Sequence, residues 1–114
     1  MLSRSLANAS LKPVTLSVLQ EGDSYGYQII QKIHDLSEGE LQWTTGTLYP
    51  FLHSLENEGV VVSYWQAVEN APRRKYYRLT PKGQKALLQE KQQWMDVNRL
   101  LIKLWGPSSE LSWS

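Results

Sequence analysis

Apolar residues recur every three or four positions through most of the 114-residue chain, a spacing that is typical of amphipathic helices. In residues 2–20 these positions are Leu2, Leu6, Ala9, Pro13, Leu16 and Leu19. Proline in a helix interior removes a backbone hydrogen bond, so Pro13 should break or bend this run. We therefore expect two helical pieces here.

A second amphipathic segment covers residues 24–36. Its apolar face is made by Tyr27, Ile30, Ile33 and Leu36. Asp23 or Ser24 can cap its start, because short polar side chains accept hydrogen bonds from the first helical amides. Gly39 lies where a helix-ending glycine is expected.

A third helix is predicted from "TTGTLYPFLHSLENEG", residues 44–59. Its apolar face is Leu48, Phe51, Leu52 and Leu55, and its candidate caps are Thr44, Thr45 and Thr47. Pro50 fits best in the first turn, where its missing N–H costs nothing, so the helix should begin near Gly46 or Thr47. Gly59 should end it.

The pattern then changes to the strand-like runs "VVVSYWQ" and "RRKYYRLT", which "AVENAP" separates. They predict a β-hairpin. Arg74, Tyr76 and Arg78 should point to one side of it, and Lys75, Tyr77 and Leu79 to the other. Thr80 and Pro81 then begin a helix that should reach Trp105 before Gly106 and Pro107 end it.

This order of elements predicts an α+β, mostly α fold of the winged helix-turn-helix type. Residues 1–80 form the winged helix-turn-helix domain, with the wing hairpin at about 60–80, and residues 81–105 a C-terminal dimerisation helix packed on it. Dimerisation is expected because this helix has a longer apolar stripe than one small domain can cover. The predicted interface is Leu87, Trp94, Val97, Leu101, Leu104 and Trp105. Residues 106–114, which include Trp113, are expected to be a flexible tail.

Composition narrows the class of protein. The chain is 41% hydrophobic, has no cysteine, and has no apolar run near the roughly 20 residues of a membrane span. His34 and His53 stand alone, without a metal-ligand, phosphate-loop or nucleophile motif around them. We therefore expect a cytoplasmic protein that is not an enzyme, contacts no membrane, and needs no metal or cofactor.

The net charge of +1 conceals a strong asymmetry. Residues 21–69 carry eight acidic side chains and Lys32 as the one basic side chain, whereas residues 71–85 carry six basic side chains and no acidic one. These six are Arg73, Arg74, Lys75, Arg78, Lys82 and Lys85. Such a concentration favours a nucleic-acid partner, although an ordinary solvated hairpin and helix start would also carry it.

Several stretches together resemble the PadR family of bacterial transcriptional regulators, in its short branch with a single C-terminal helix. They are "YGYQIIQKI", "GTLYPFLHSLENEGVV" and "RRKYYRLTPKG", followed by Trp94 at the family's spacing. The resemblance covers roughly residues 13–105. It implies a homodimeric winged helix-turn-helix repressor on double-stranded DNA, paired through its first and last helices, associated with the nucleoid when bound, and released by a small ligand.

Physical reasoning and the resemblance together select the DNA-binding residues. Helix N-termini and hydroxyls hold phosphates, and the wing supplies cations. The expected residues are Tyr25, Thr45, Thr47, Tyr49, His53, Arg73, Arg74 and Lys75. Arg73 and Lys75 rank above Arg74, because neighbouring strand residues point to opposite sides. Tyr49 has an alternative as a core tyrosine, and Glu56 and Glu58 are assigned to a solvated face.

A ligand site is implied by similarity to multidrug-binding members of the family. If Trp94 lies near a dimer axis, a planar aromatic molecule can stack between the two indoles. The expected ligand residues are Leu6, Ala9, Ser17, Trp94 and Asn98. Trp94 alternatively fills space in the dimer interface.

Family members often carry basic residues where this chain has His53 and Ser54. The alternative function of the protein is a winged-helix module that binds protein without reading an operator.

Overall fold

The computed structural model of the protein describes residues 2–106. The elements are α1 (Arg4–Ala9), α2 (Leu11–Glu21), β1 (Ser24–Tyr25), α3 (Gly26–Leu36), α4 (Thr45–Asn57), β2 (Val61–Val68), β3 (Ala71–Leu79) and α5 (Pro81–Trp105). The mostly helical winged helix-turn-helix fold is confirmed. Its core lies where α2, α3 and α4 meet the hairpin and the start of α5. The predicted tail beyond Gly106, with Trp113, lies outside the described residues.

The first apolar run forms two helices, as expected, but the break falls at Ser10 and not at Pro13. Pro13 is the third residue of α2, where a missing N–H leaves no intrahelical bond unmade. Leu16 and Leu19 are buried, as their spacing predicts.

The segment before α3 differs from the prediction. Ser24 and Tyr25 form a short edge strand that pairs with Tyr77 and Tyr76 of β3, so α3 begins only at Gly26. Tyr25 is the N-cap residue and no side chain caps the helix. The assignment of Asp23 or Ser24 as cap was therefore wrong, because this backbone pairs with a strand that lies fifty residues later in sequence.

The buried face of α3 is also rotated from the predicted one. Ile29 and Ile33 are buried, while Tyr27 is 62% exposed and Leu36 is 71% exposed. The helix ends as predicted: Gly39 has φ +82°, and its amide donates to the carbonyl of His34 at 2.9 Å.

Helix α4 is capped by Thr44, whose hydroxyl accepts from the amide of Thr47. Its predicted apolar face is confirmed by the complete burial of Leu48, Leu52 and Leu55. Pro50 lies in the second turn and not in the first, because the helix begins at Thr45. Gly59, at φ +79°, follows its end.

The hairpin occupies the predicted part of the chain, but its strands are longer and its turn is shorter than predicted. Strands β2 and β3 are joined at Glu69 and Asn70, and Asn70 adopts the left-handed conformation that tight hairpin turns require. The sheet order is β1-β3-β2, all antiparallel. Tyr77 and Leu79 point into the core, so the predicted alternation along β3 is confirmed.

Helix α5 starts as predicted, with Thr80 accepting from the amide of Gly83. Its first half packs against α2 and buries Leu87 completely in the core of the protomer. The assignment of Leu87 to a dimer interface is therefore corrected. From Lys91 to Leu100 every residue is exposed. No helix in residues 2–106 has the length and apolarity to cross a bilayer.

Candidate nucleic-acid interface

A concave surface of about 730 Å³ lies between α4 and the hairpin, and we call it the wing groove. It is lined by Tyr25, Tyr49, Pro50, His53, Trp65, Arg73, Arg74, Lys75 and Tyr77. The structure thus brings together six of the eight residues that the sequence nominates for DNA. The other two, Thr45 and Thr47, are exposed at the start of α4.

Tyr49 is held in the wing groove by a close contact between α3 and α4. A Cβ atom placed on Gly26 would lie 2.5 Å from Cε1 of Tyr49, so the ring packs directly on the first residue of α3. Tyr49 is still 43% exposed. Tyr49 is therefore partly buried, as the alternative of a partly buried core tyrosine expects, and it also borders the groove.

Two arginines at the start of β3 carry charge that no acid in residues 2–106 neutralises through an ion pair. The guanidinium of Arg73 lies 5.2 Å from the ring centroid of Trp65, and that of Arg74 lies 4.5 Å from the ring of Tyr25. Strand alternation separates them as predicted. Arg74 nevertheless reaches the wing groove by turning over the sheet edge onto Tyr25.

Trp65 is a residue that sequence reasoning missed. It is 57% exposed and pairs with Lys75 across the hairpin, so its indole shares a face with the wing cations. The available signal was strand alternation, which places an aromatic side chain on the same face as the basic ones. An exposed tryptophan beside Arg73 adds apolar surface next to the cationic side chains of the groove.

Lys75 lies near an acidic side chain, unlike Arg73 and Arg74. Its Nζ atom is 3.9 Å from Oε1 of Glu56, and Oε2 of the same carboxylate accepts a hydrogen bond from the Ser63 hydroxyl of β2. The assignment of Glu56 to a solvated face is corrected, since it links α4 to the hairpin. Burial raises the pKa of Tyr77, and the negative charge of Glu56 adds to this rise.

Arg78 is engaged on the outer face of the sheet. Its Nη2 and Nε atoms donate to one carboxylate oxygen of Asp23 at 2.9 Å and 3.0 Å, and Tyr64 donates to the same oxygen at 2.6 Å. These bonds, that of Tyr64 first, lower the pKa of Asp23 although desolvation opposes them. The bond to Asp23 raises the pKa of Tyr64. The cluster ties the loop before α3 to the wing.

This Asp23 cluster predicts a pH window for its contribution to stability. The carboxyl pKa is lowered below 3.8 on folding, so its contribution is present above that pH and is lost as the pH falls through the folded value. The phenol pKa is raised above 10.0, so its contribution is lost as the pH rises through the folded value. We expect Asp23→Asn to lower the free energy of unfolding between these limits, with a smaller difference outside them.

Denaturant unfolding of both proteins across the pH range measures this difference. Asp35→Asn is the matched control, because Asp35 is exposed and bonds within its own helix to Gln31. A penalty for Asp23→Asn that is as large at about pH 2 as at neutral pH would contradict the assignment of the window.

The residues predicted for a ligand site are not gathered within one protomer. Trp94 is 40% exposed and, with Gln93 and Val97, borders a shallow depression of about 340 Å³ on α5. Asn98 is exposed one turn further along. Leu6, Ala9 and Ser17 lie on α1 and α2, and they do not border this depression.

The residues described offer no arrangement for metal chemistry. Within residues 2–106 there is no group of three or more His, Asp or Glu side chains that could hold an ion. His34 contacts Asp35 on the surface of α3, and His53 lies in the wing groove.

Residues 15–89 match the model of the family described as "Transcriptional regulator PadR-like family". A solved transcriptional regulator from Clostridium thermocellum is similar over 90% of this chain and 97% of its own, with a TM-score of 0.81 and 33% identity. A PadR family transcriptional regulator from Eggerthella lenta is similar over 90% of this chain and 87% of its own, with a TM-score of 0.78 and 30% identity.

The sequence is also 31% identical over 99 residues to Transcriptional regulator Rv3488 of Mycobacterium tuberculosis, which covers 87% of this chain and 89% of that protein. The match to the family extends from α2 to the first half of α5 and so includes α4 and the wing. The chain belongs to the PadR-like family of transcriptional regulators, and it is therefore a DNA-binding regulator and not an enzyme.

Proposed function

We propose that the protein is a homodimeric repressor that binds a palindromic operator in the bacterial cytoplasm and leaves it when a planar aromatic ligand binds. Helix α4 enters the major groove, and the β2–β3 wing contacts the adjacent backbone. The observation that carries the DNA-binding part is the wing groove, where Tyr49 and His53 of α4 face the wing cations across one concave surface.

The path of the DNA backbone follows from this placement. When a helix lies in the major groove and a wing reaches the minor groove, the intervening phosphate strand runs between them. Tyr49 on one wall offers a hydroxyl, and Arg73 on the other offers a guanidinium, both of which are common phosphate donors. The exposed indole of Trp65 can pack against deoxyribose at the same place.

Selection of bound sequences from a random DNA pool, followed by titration at several salt concentrations, tests this function. If a dimer contacts about six to eight phosphates, the slope of log affinity against log salt should be about −5 to −7. Arg73→Gln should weaken binding by about fivefold and reduce the steepness by about 1.8 per dimer, which corresponds to one lost phosphate contact in each protomer.

Lys85→Gln is the control, because it removes the same charge beside Glu58 at the far end of α4. Lys85→Gln should change neither the affinity for DNA nor the slope of log affinity against log salt beyond the small effect of net charge. A flat salt dependence, or selection that returns no preferred sequence, would instead support a winged-helix module that binds protein.

The second half of α5 supports the homodimer. Trp94, Val97, Leu104 and Trp105 are between 40% and 70% exposed, and Leu101 lies at the centre of their stripe. The second half of α5, from Lys91 to Trp105, would be only marginally stable as a helix in water without packing on its apolar face. A second copy related by a two-fold axis would cover the stripe and match a two-fold operator whose half-sites lie about 34 Å apart.

The exposed indole of Trp94 supports a ligand between the two protomers. A two-fold axis beside Trp94 would face two indoles toward each other, and a flat aromatic molecule stacks well between such rings. Leu6, Ala9 and Ser17 would have to come from the partner's α1 and α2 to complete this site. A ligand that wedges the two α5 helices apart changes the spacing of the two α4 helices, and this lowers operator affinity.

Quenching of tryptophan fluorescence by the planar dye acridine orange tests the ligand site. Trp94→Ala should weaken dye binding by about tenfold or more, since stacking on an aromatic ring contributes about 1–3 kcal/mol. Trp65→Ala removes another exposed indole outside α5 and should leave dye affinity unchanged. Equal dye binding by wild type and Trp94→Ala would reject stacking on Trp94.

A further inference from the structure

A second cavity, of about 610 Å³, lies at the start of α4, and we call it the α1 cavity. Arg4 of α1 contributes to its wall together with Trp43 and Thr44, which precede α4, and Thr47 of the first turn of α4. Arg4 and Trp43 were not among the residues predicted to bind DNA. Its walls are partly apolar, and the N-terminal end of α4 meets the charged side chain of Arg4 there.

Two residues that line this cavity carry side-chain donors without an acceptor. The guanidinium of Arg4 has no hydrogen bond or ion pair within residues 2–106. Trp43 is only 8% exposed, yet its indole N–H has no acceptor among the same residues. A buried donor of this kind is costly unless a partner arrives.

The backbone at the start of α4 adds two more donors. The amides of Thr45 and Gly46 have no acceptor within residues 2–106, whereas those of Thr47 and Leu48 are both bonded to Thr44. The positive end of the helix dipole lies at the same point. Glu40 also borders the cavity, and Arg4 is the cationic side chain among the residues that line it.

The position of the cavity relative to α4 suggests which anion it receives. Tyr49, Pro50 and His53 of α4 border the wing groove, while Thr44 and Thr47 at the start of the helix border the α1 cavity. The major groove is bounded by two phosphate backbones about 12 Å apart. A helix in that groove with one backbone at the wing therefore has the other backbone on its remaining side.

We propose that the α1 cavity binds a phosphodiester of this second DNA backbone, with Arg4 as the cationic contact and the first amides of α4 as additional donors. The proposal rests on the DNA-binding function above and extends it to α1, which lies outside the helix-turn-helix and the wing. Each protomer then contacts both phosphate backbones that border the major groove.

The test uses the full chain and the duplex that selection returns. Arg4→Gln should weaken binding by about fivefold and reduce the steepness of the salt dependence by about 0.9 per protomer, while Lys85→Gln leaves the steepness unchanged. Arg4 is exposed on the first turn of α1, so the variant should fold, and unfolding by denaturant verifies this. Single neutral methylphosphonates, introduced one position at a time, then locate the phosphate.

At one backbone position the methylphosphonate should weaken wild type and leave Arg4→Gln unaffected, because the contact is already absent. If Arg4→Gln matches wild type in affinity and in salt dependence, the assignment of the α1 cavity is wrong while DNA binding stands. If wild type itself shows no salt-dependent DNA binding, the proposed function fails first.

Inorganic phosphate is another source of the same chemistry. A cavity that takes free phosphate would show an Arg4-dependent rise in thermal stability with added phosphate in the absence of DNA. If that rise accompanied an unchanged salt dependence of DNA binding in Arg4→Gln, the assignment to the DNA backbone would be overturned.

Discussion

Gly83→Ala is expected to destabilise the fold by about 3 kcal/mol, although alanine usually stabilises a helix relative to glycine by about 1 kcal/mol. Gly83 lies in the first turn of α5 against the start of β2. A Cβ atom there would lie 2.0 Å from the carbonyl oxygen of Val60 and 3.0 Å from Cδ2 of Leu79. The first contact is with backbone, which cannot rotate away.

Relief of this contact would disturb neighbouring bonds. The same carbonyl of Val60 accepts from the amide of Thr80 at 3.1 Å, and the amide of Val60 donates to Leu55. Moving the oxygen therefore loosens the N-cap of α5 and the end of α4 together. Thermal unfolding should show a midpoint lower by about 10–20 °C.

Gly46→Ala is the matched control for this substitution. Gly46 is also in the first turn of a helix, but the nearest atom to its added Cβ is the Thr44 hydroxyl at 3.7 Å, an ordinary contact. It should be neutral or slightly stabilising. Equal unfolding midpoints for the two variants would show that the backbone at Val60 yields at little cost.

Elements whose signals are local could be predicted from the sequence. The apolar spacing of Leu48, Leu52 and Leu55 fixes the buried side of α4 whatever surrounds it, and all three are fully buried. Thr80 followed by Pro81 marks the start of α5, because cap and proline act on amides within one turn.

Elements that depend on distant partners could not be predicted. Strand β1 has two residues, and it exists because Ser24 and Tyr25 pair with β3. Nothing in the local sequence around Asp23 separates a helix cap from the acceptor of Tyr64 and Arg78. The position of Pro50 also depends on distant partners. It lies one turn inside α4, because the core contacts of Leu48 and Leu52 outweigh the one backbone hydrogen bond that the proline cannot make.

The candidate DNA-binding site also has features that the local sequence predicts and features that depend on distant partners. The cluster of positive charge at the wing follows from composition, but the availability of each cation depends on its partners in three dimensions. Arg78 is bound to Asp23 and Lys75 lies near Glu56, whereas Arg73 contacts only the face of Trp65 among the described residues. Arg74 likewise lies against the ring of Tyr25 without an ion pair among the described residues, so Arg73 and Arg74 are the wing cations whose charge is most available to a phosphate.

Disruption of the proposed dimer should have the largest effect that we expect on DNA binding. Leu101 lies at the centre of the apolar stripe on the second half of α5, and two-fold symmetry would place two copies of it in one interface. An aspartate there would bury a carboxylate without a partner, at a cost of about 2 kcal/mol or more for each copy. Leu101→Asp should therefore weaken the dimer by about a thousandfold.

Sedimentation of Leu101→Asp should show monomers at concentrations where wild type is dimeric, and affinity for the selected operator should fall by at least about a hundredfold, because one protomer then holds one half-site. Gln92→Asp is the matched control. Gln92 lies nine residues earlier, on the opposite side of the α-helix, so it adds the same charge outside the stripe. If Leu101→Asp remained as dimeric as Gln92→Asp, some other surface would have to join the protomers, and α5 would need another partner for its exposed tryptophans.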